Sequence, residues 1–173
     1  LDAGDLAAAK TEFDRATELD NRSVEGHTGR AFLELARDKY EDAIRHADRA
    51  LSRDPAFLDA AAAKGLAIVS RQDGDDWLDR AVSLLREAIA QDSTHARCLF
   101  SLGEVYFTAA EYTHAREWYD RVIALDGDFA DKARERKTLA GQLERAGPLT
   151  DRAREIALAE TISRGDLCVL LLD

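Results

Sequence analysis

The sequence predicts an all-α solenoid of stacked antiparallel helix pairs, and three observations predict it. The first is a repeat. The block Gly4-Asp5-Leu6-Ala7-Ala8-Ala9-Lys10-Thr11-Glu12-Phe13-Asp14-Arg15-Ala16 returns as Asp38-Lys39-Tyr40-Glu41-Asp42-Ala43-Ile44-Arg45-His46-Ala47-Asp48-Arg49-Ala50, with the matching residues Ala9 and Ala43 34 positions apart. It returns again around Ala81 and Ala88, and once more around Ala115 and Val122. A fixed period of this size marks an array of small units, each unable to bury its apolar face alone. The second observation is composition. The 173 residues are 46% hydrophobic and 34% charged, dominated by Ala, Leu, Arg, Glu and Asp, of which the first four favour helix. The third is punctuation: the two prolines, Pro55 and Pro148, both fall where turns are expected, so neither interrupts a helix.

The elements follow from the period. Residues 5–19 read as a second helix whose first partner is mostly missing. Residues 23–37 and 40–53 form the next pair, 56–71 and 76–91 the third, and 94–109 and 112–125 the fourth. A fifth, less regular pair covers 128–146 and 150–163. Asp54-Pro55 offers an N-cap followed by proline at the first helical position. Gly127 can take positive φ to close a helix, and Asp128 can cap the next. Gly147-Pro148 breaks the chain before Thr150 or Asp151 caps the last helix. The third unit is irregular, because Ala43 and Ala81 are 38 positions apart. Its four extra residues fall in the polar stretch 71–76, so a longer loop with intact stacking is expected. The expected organisation is a repeat array over 1–127 with a truncated first unit, a degenerate fifth pair or capping helices over 128–164, and a tail over 165–173. Because the sequence opens at Leu1, partway through a unit, it reads as a fragment of a longer protein.

Charge narrows the function classes. A net charge of −10 argues against phosphate-backbone binding, which needs clustered Lys and Arg. Acidity of this size serves solubility. The longest aliphatic stretch, 167–172, is far short of the ~18–20 residues of a membrane helix. Cys98 and Cys168 have no CxxC spacing and read as reduced thiols, which favours a cytoplasmic setting.

The fourth unit carries Leu99, Leu102-Gly103, Tyr106, Tyr112, Ala115, Tyr119 and Val122, with Gly127 after them. The second carries Ala31, Tyr40, Ala43, Ala47, Ala50 and Pro55. The third carries Gly65, Ile68, Leu78, Ala81, Leu85 and Ala88, and the first Leu6, Ala9, Phe13 and Ala16. This pattern resembles the tetratricopeptide repeat from Gly4 to Gly127, and weakens beyond, where Lys137 takes a small-residue position. The resemblance implies a right-handed superhelix in which small residues such as Gly103 and Ala115 sit where helices cross closely, and large ones such as Tyr106 and Tyr119 fill the gaps between units.

It also implies a concave groove lined by the first helix of each pair. The corresponding positions are Glu25, Thr28, Phe32 and Leu35 in the second unit, and Asp59, Ala62, Leu66 and Val69 in the third. The fourth supplies Arg97, Phe100, Glu104 and Phe107, and the fifth Asp131, Arg134 and Thr138. Family members that hold chaperone C-terminal tails use a Lys, Asn and Arg clamp. Thr28, Gly29, Asp59 and Ala63 stand there instead, so that role is not expected. Two readings of the remainder stay open. Phe32, Leu66, Val69, Phe100 and Phe107 form an apolar strip rimmed by Arg97, Glu25 and Asp59, suited to an amphipathic helix or extended peptide. Alternatively, these side chains are buried against neighbouring helices. The apolar tail 167–172 entering or capping a neighbour is a third arrangement.

Chemistry leaves few candidates. His95 and Cys98, at i and i+3, lack the further ligands of a zinc site, and the spacing of His114 and Glu117 meets the same objection. His27 and His46 read as isolated surface or packing residues. Asp73-Gly74-Asp75-Asp76 lacks the ligand spacing of a calcium loop. Arg164-Gly165-Asp166 spells an adhesion tripeptide but reads as a helix end. Phosphate loops and nucleophilic triads have no counterpart. The expected function is a non-catalytic adaptor or scaffold, without metal or cofactor, that docks a protein or peptide and neither nucleic acid nor membrane. A regulatory repeat domain of a larger enzyme or signalling protein, or a scaffold self-associating through its repeat ends, are the alternatives.

Overall fold

The computed structural model describes residues 10–15 and 20–146. α1 covers residues 10–15. It is followed by α2 (Val24–Ala36), α3 (Tyr40–Arg53), α4 (Leu58–Arg71), α5 (Trp77–Gln91), α6 (Ala96–Thr108), α7 (Tyr112–Ala124) and α8 (Ala130–Ala146). The rest of the helix expected over 5–19, the helix over 150–163, the tail, Cys168 and the adhesion-like tripeptide lie outside the described residues.

From α2 to α8 each helix packs on the next in sequence, as short connections require. The layers differ beyond that. α2 packs on α4 and α4 on α6, whereas α3, α5 and α7 make no comparable backbone approach to one another. The first helices therefore form a continuous inner layer and the second helices stand apart outside it.

The close crossing within a pair depends on glycine under a large side chain. A Cβ on Gly103 would lie 2.5 Å from the Tyr119 ring, and one on Gly65 would lie 2.9 Å from the Leu85 side chain. Phe13 of α1 occupies the same kind of seat over Gly29 of the following unit. Ala43, Ala81 and Ala115 are fully buried where the paired helices face each other.

The turns repeat as closely as the helices. Asp38 and Ala110 both take left-handed backbone, with φ of 59° and 61°. At each, a Schellman pair of hydrogen bonds closes the helix: Lys39 N–H to Glu34 O and Asp38 N–H to Leu35 O, then Glu111 N–H to Tyr106 O and Ala110 N–H to Phe107 O. The third unit ends α4 differently. Gln72 is left-handed and donates to Ile68 O, and residues 72–76 loop out before α5. The inserted residues thus extend the turn and leave α4 packed on both α5 and α6.

α4 and α6 start two residues later than expected, for a shared reason. Asp54 accepts the Ala56 N–H at 2.9 Å and Asp92 accepts the Thr94 N–H at 2.8 Å, so each aspartate closes a turn ahead of the helix and does not cap it. Asp20 does the same with Arg22 N–H before Ser23 caps α2 through Gly26 N–H. The matching residue before α8 is Asp126, which is left-handed with φ of 50°. The array changes geometry at that point.

α8 packs on α7 and lacks the close approach to α6 that α4 makes. Long side chains bridge the gap. Arg136 donates through Nε to Glu104 Oε1 at 2.7 Å and through Nη2 to Glu104 Oε2 at 2.5 Å. Tyr119 donates its hydroxyl to the same Oε1 at 2.6 Å. The guanidinium also lies 3.9 Å from the Phe107 ring centroid. Burial opposes the Arg136 charge, but the Glu104 carboxylate outweighs it and raises the pKa, while burial and the same carboxylate push Tyr119 up. Lys137, where a small residue is usual, instead reaches Asp120 on α7.

Between α2 and α3 lies a second buried polar contact. His27 and His46 are not isolated: their Nδ1 atoms are 3.2 Å apart, and His27 Nε2 is 3.1 Å from Asn21 O. With both rings neutral, Nε2–H of His27 donates to Asn21 O, so its Nδ1 accepts from Nδ1–H of His46. Burial lowers the His46 pKa to about 4, aided by Arg30, His27, Arg49 and Arg45.

Three outcomes follow from this packing. Gly103→Ala forces Tyr119 off its seat and away from Glu104, and is expected to lower unfolding stability in urea by about 1–3 kcal/mol. Arg136→Leu leaves the Glu104 carboxylate buried without its cation, at an expected cost of about 3–5 kcal/mol, and adding Glu104→Leu should restore much of it. The third outcome is a pH dependence. The unfolded chain protonates His46 near pH 6.5 and the folded chain only near 4, so the unfolded state binds the proton first and stability falls as pH drops through that window. Thermal melts across it should show a shallower slope for His46→Gln.

Candidate functional site

The inner layer of α2, α4 and α6 carries the residues expected to line a groove, and burial divides them. Phe32, Leu35, Leu66, Val69, Phe100 and Phe107 are each at most 4% exposed, and Ala62 is fully buried. The apolar strip is therefore core. The reason is geometric: α2, α4 and α6 lie close enough for side chains at these positions to pack on the adjacent inner helix. Phe100 packs on Tyr119 and Phe129, with ring centroids 5.7 and 5.5 Å apart, and Phe107 packs on Tyr112 and beneath Arg136. Glu104, expected to line the groove, is corrected too: fully buried, it is committed to Arg136 and Tyr119.

Apart from Glu104 and Thr28, the polar members remain accessible. Glu25 is exposed, and Asp59 and Arg97 are partly so. Arg134 is exposed and pairs with Asp131 and Asp126, away from the other positions. Thr138 donates to Arg134 O on the same helix. Thr28 is buried and donates to Val24 O at 2.8 Å, so its hydroxyl is used within α2.

Five of the expected positions come together. Glu25, Thr28, Phe32, Asp59 and Arg97 line one cavity of about 230 Å³, joined by Phe13, Gly29 and Phe57. Four successive units contribute to it. Arg97 crosses between them: its Nε lies 3.2 Å from Asp59 Oδ1, and its guanidinium lies 4.8 Å from the Phe32 ring centroid and 5.5 Å from that of Phe129. His95 Nε2 is 3.5 Å from the same Asp59 oxygen. The cavity is smaller than the ~300–1,000 Å³ of small-molecule sites, and suits a single side chain.

Sequence reasoning missed Phe13 and Phe57. Phe57 had a signal, since Phe129 stands at the matching position three residues after Asp126, as Phe57 does after Asp54. Phe13 was assigned to packing, and it reaches the cavity because it lies over the bare backbone of Gly29.

The cysteine and histidine pairs have structural uses. His95 is the N-cap of α6 and accepts the Cys98 N–H through Nδ1 at 3.3 Å. Cys98 is buried and donates through Sγ to Leu58 O at 3.3 Å. Burial pushes its thiol up to about 12, with Asp59 adding to the effect. His114 meets Glu111 at 2.9 Å and packs on Tyr106. Among the described residues no three His, Cys, Asp or Glu side chains converge as metal ligands, and no helix is long and apolar enough to cross a membrane.

A larger cavity, about 480 Å³, opens beside the insertion, among α3, α4 and α5. Its lining pairs Lys64 with Asp48 at 2.7 Å and Arg71 with Asp73 at 3.1 Å, and also carries Glu87 and Arg80, the latter 3.4 Å from Asp76 outside the lining.

A family model described as tetratricopeptide repeat matches residues 1–56 and 76–128. The unmatched stretch between these two segments holds α4 and most of the inserted loop, and the match ends before α8. No curated protein matches the sequence. Among solved structures, a thermophilic tetratricopeptide repeat protein from Thermus thermophilus is 22% identical with a TM-score of 0.66, over 90% of each chain. The Sgt2 tetratricopeptide repeat domain from Aspergillus fumigatus is 21% identical with a TM-score of 0.61, over 74% of this chain and 86% of that one. MamA is 22% identical with a TM-score of 0.54, over 84% of this chain and 96% of that one. At these identities the structures establish the fold alone, the right-handed α-solenoid. The family match spans more than half of the sequence, and the chain belongs to the tetratricopeptide repeat family.

Proposed function

We propose that this chain is a non-catalytic adaptor that docks a short segment of a partner protein on its inner layer, with the cavity around Arg97 as the anchor point. Tetratricopeptide repeats generally mediate protein–protein interaction, and proteins of this fold are typically non-catalytic scaffolds. The observation that carries the finer reading is the convergence of Phe13, Glu25, Phe32, Phe57, Asp59 and Arg97, from four units, on one side-chain-sized cavity. Interfaces commonly concentrate their energy where an anchoring side chain fills such a recess, with aromatic and Arg residues around it. Leu66, Val69, Phe100 and Phe107 contribute by packing in the core of the inner layer, which keeps it rigid. The buried free thiol of Cys98 suits a reducing, cytoplasmic setting.

Affinity capture from cell lysate, read by mass spectrometry, tests the reading. Phe57→Ala with Arg97→Ala should abolish recovery of specific partners while circular dichroism retains the helical signal. Unchanged recovery by the folded variant would overturn it. Phe100 and Phe107 are unsuitable probes, because truncating either opens the core.

A further inference from the structure

We propose that the cavity on the inner layer receives a basic side chain, an arginine or lysine of the docked segment. This rests on the docking reading above and names the chemistry of the partner at that site. The first argument is charge. The lining includes two carboxylates, Glu25 and Asp59, and one cation, Arg97. Arg97 is already engaged by Asp59 at 3.2 Å and by the Phe32 face, whereas Glu25 is exposed and makes no ion pair among the described residues. A fourth charge of negative sign would meet two carboxylates, and one of positive sign would balance the set.

The second argument is the wall. Phe13, Phe32 and Phe57 line the same recess, and an aromatic face attracts a cation placed over it. Arg97 shows that a guanidinium fits here, since it sits 4.8 Å from the Phe32 centroid. Size is the third: about 230 Å³ accommodates the stem and head of one long side chain. Access is the fourth. Glu25 is exposed and Asp59 partly so, so the incoming cation keeps part of its hydration and desolvation does not cancel the attraction. The net charge of −10 further steers basic segments toward the chain. The arrangement is opposite in sign to a clamp for a terminal carboxylate.

A random heptapeptide library displayed on phage, selected on the whole chain at 0.15 M salt, tests this. The selected sequences should share one Arg or Lys position. The consensus peptide, followed by fluorescence polarisation, should lose about tenfold in affinity when that residue becomes norleucine or acetyl-lysine. Glu25→Gln should weaken the basic peptide and leave the norleucine peptide unchanged, and Phe57→Leu should weaken the basic peptide several-fold while preserving apolar volume. Enriched peptides that lack a basic residue yet depend on Phe57 and Arg97 would overturn the cation site and leave docking standing. Basic peptides indifferent to Glu25→Gln and Phe57→Leu would overturn it as well, by showing attraction to the overall charge alone. A library with no enrichment would sink both the cation site and the docking reading.

Discussion

Bare backbone beneath a large side chain is the contact on which this array depends. Tyr119 over Gly103 and Leu85 over Gly65 fill space that a Cβ would take, so that adding one would displace the large side chain. That seat sets how far the second helix of a unit can lean against the first, and so leaves the first helices free to pack on one another. The inner layer of α2, α4 and α6 is the consequence, and the separation of the second helices follows from it. Phe13 over Gly29 extends the same device across a unit boundary, which is how an aromatic of α1 comes to line a cavity otherwise built from later units.

Close packing also explains why the site is polar. Apolar side chains on the inner helices meet the neighbouring helix and vanish into the core, where removing them from water contributes most. Only groups too costly to bury, the carboxylates of Glu25 and Asp59 and the guanidinium of Arg97, stay at the surface. Glu104 is the exception, and its burial is sustained by two hydrogen bonds from Arg136 and one from Tyr119. That triad is retained where α8 stands farther from α6 than the other inner helices stand from each other. A long, always-charged side chain spans a gap that a short apolar one could not fill. The left-handed Asp126 marks the same departure in the backbone.

Helix limits were legible to within two residues because the period and the turn chemistry agree. The error was systematic and instructive. Asp54 looks like an N-cap in sequence, but it and the equivalent Asp92 each spend their carboxylate on a turn two residues on, and the helix begins after that turn. An aspartate can close a turn or cap a helix with the same atoms, and the spacing alone does not choose between them. His27 and His46 illustrate a related limit. Nineteen positions apart, they carry no joint signal until α2 and α3 are laid side by side.

The amino-acid sequence by itself determined the repeat, the order of helix pairs, the loop that absorbs the insertion and the family, because each of these is written in local spacing and turn chemistry. That Glu25, Asp59 and Arg97 share one face was implied by the resemblance to that family. Tertiary structure alone decided that Phe32, Leu66, Phe100 and Phe107 are core, that Glu104 belongs to Arg136, and that Phe13 and Phe57 join Arg97 around a recess. The physical reason is that burial and pairing depend on the distance between neighbouring helices. That distance is set by which side chains meet across the gap, a property of residues remote in sequence that no periodic pattern encodes.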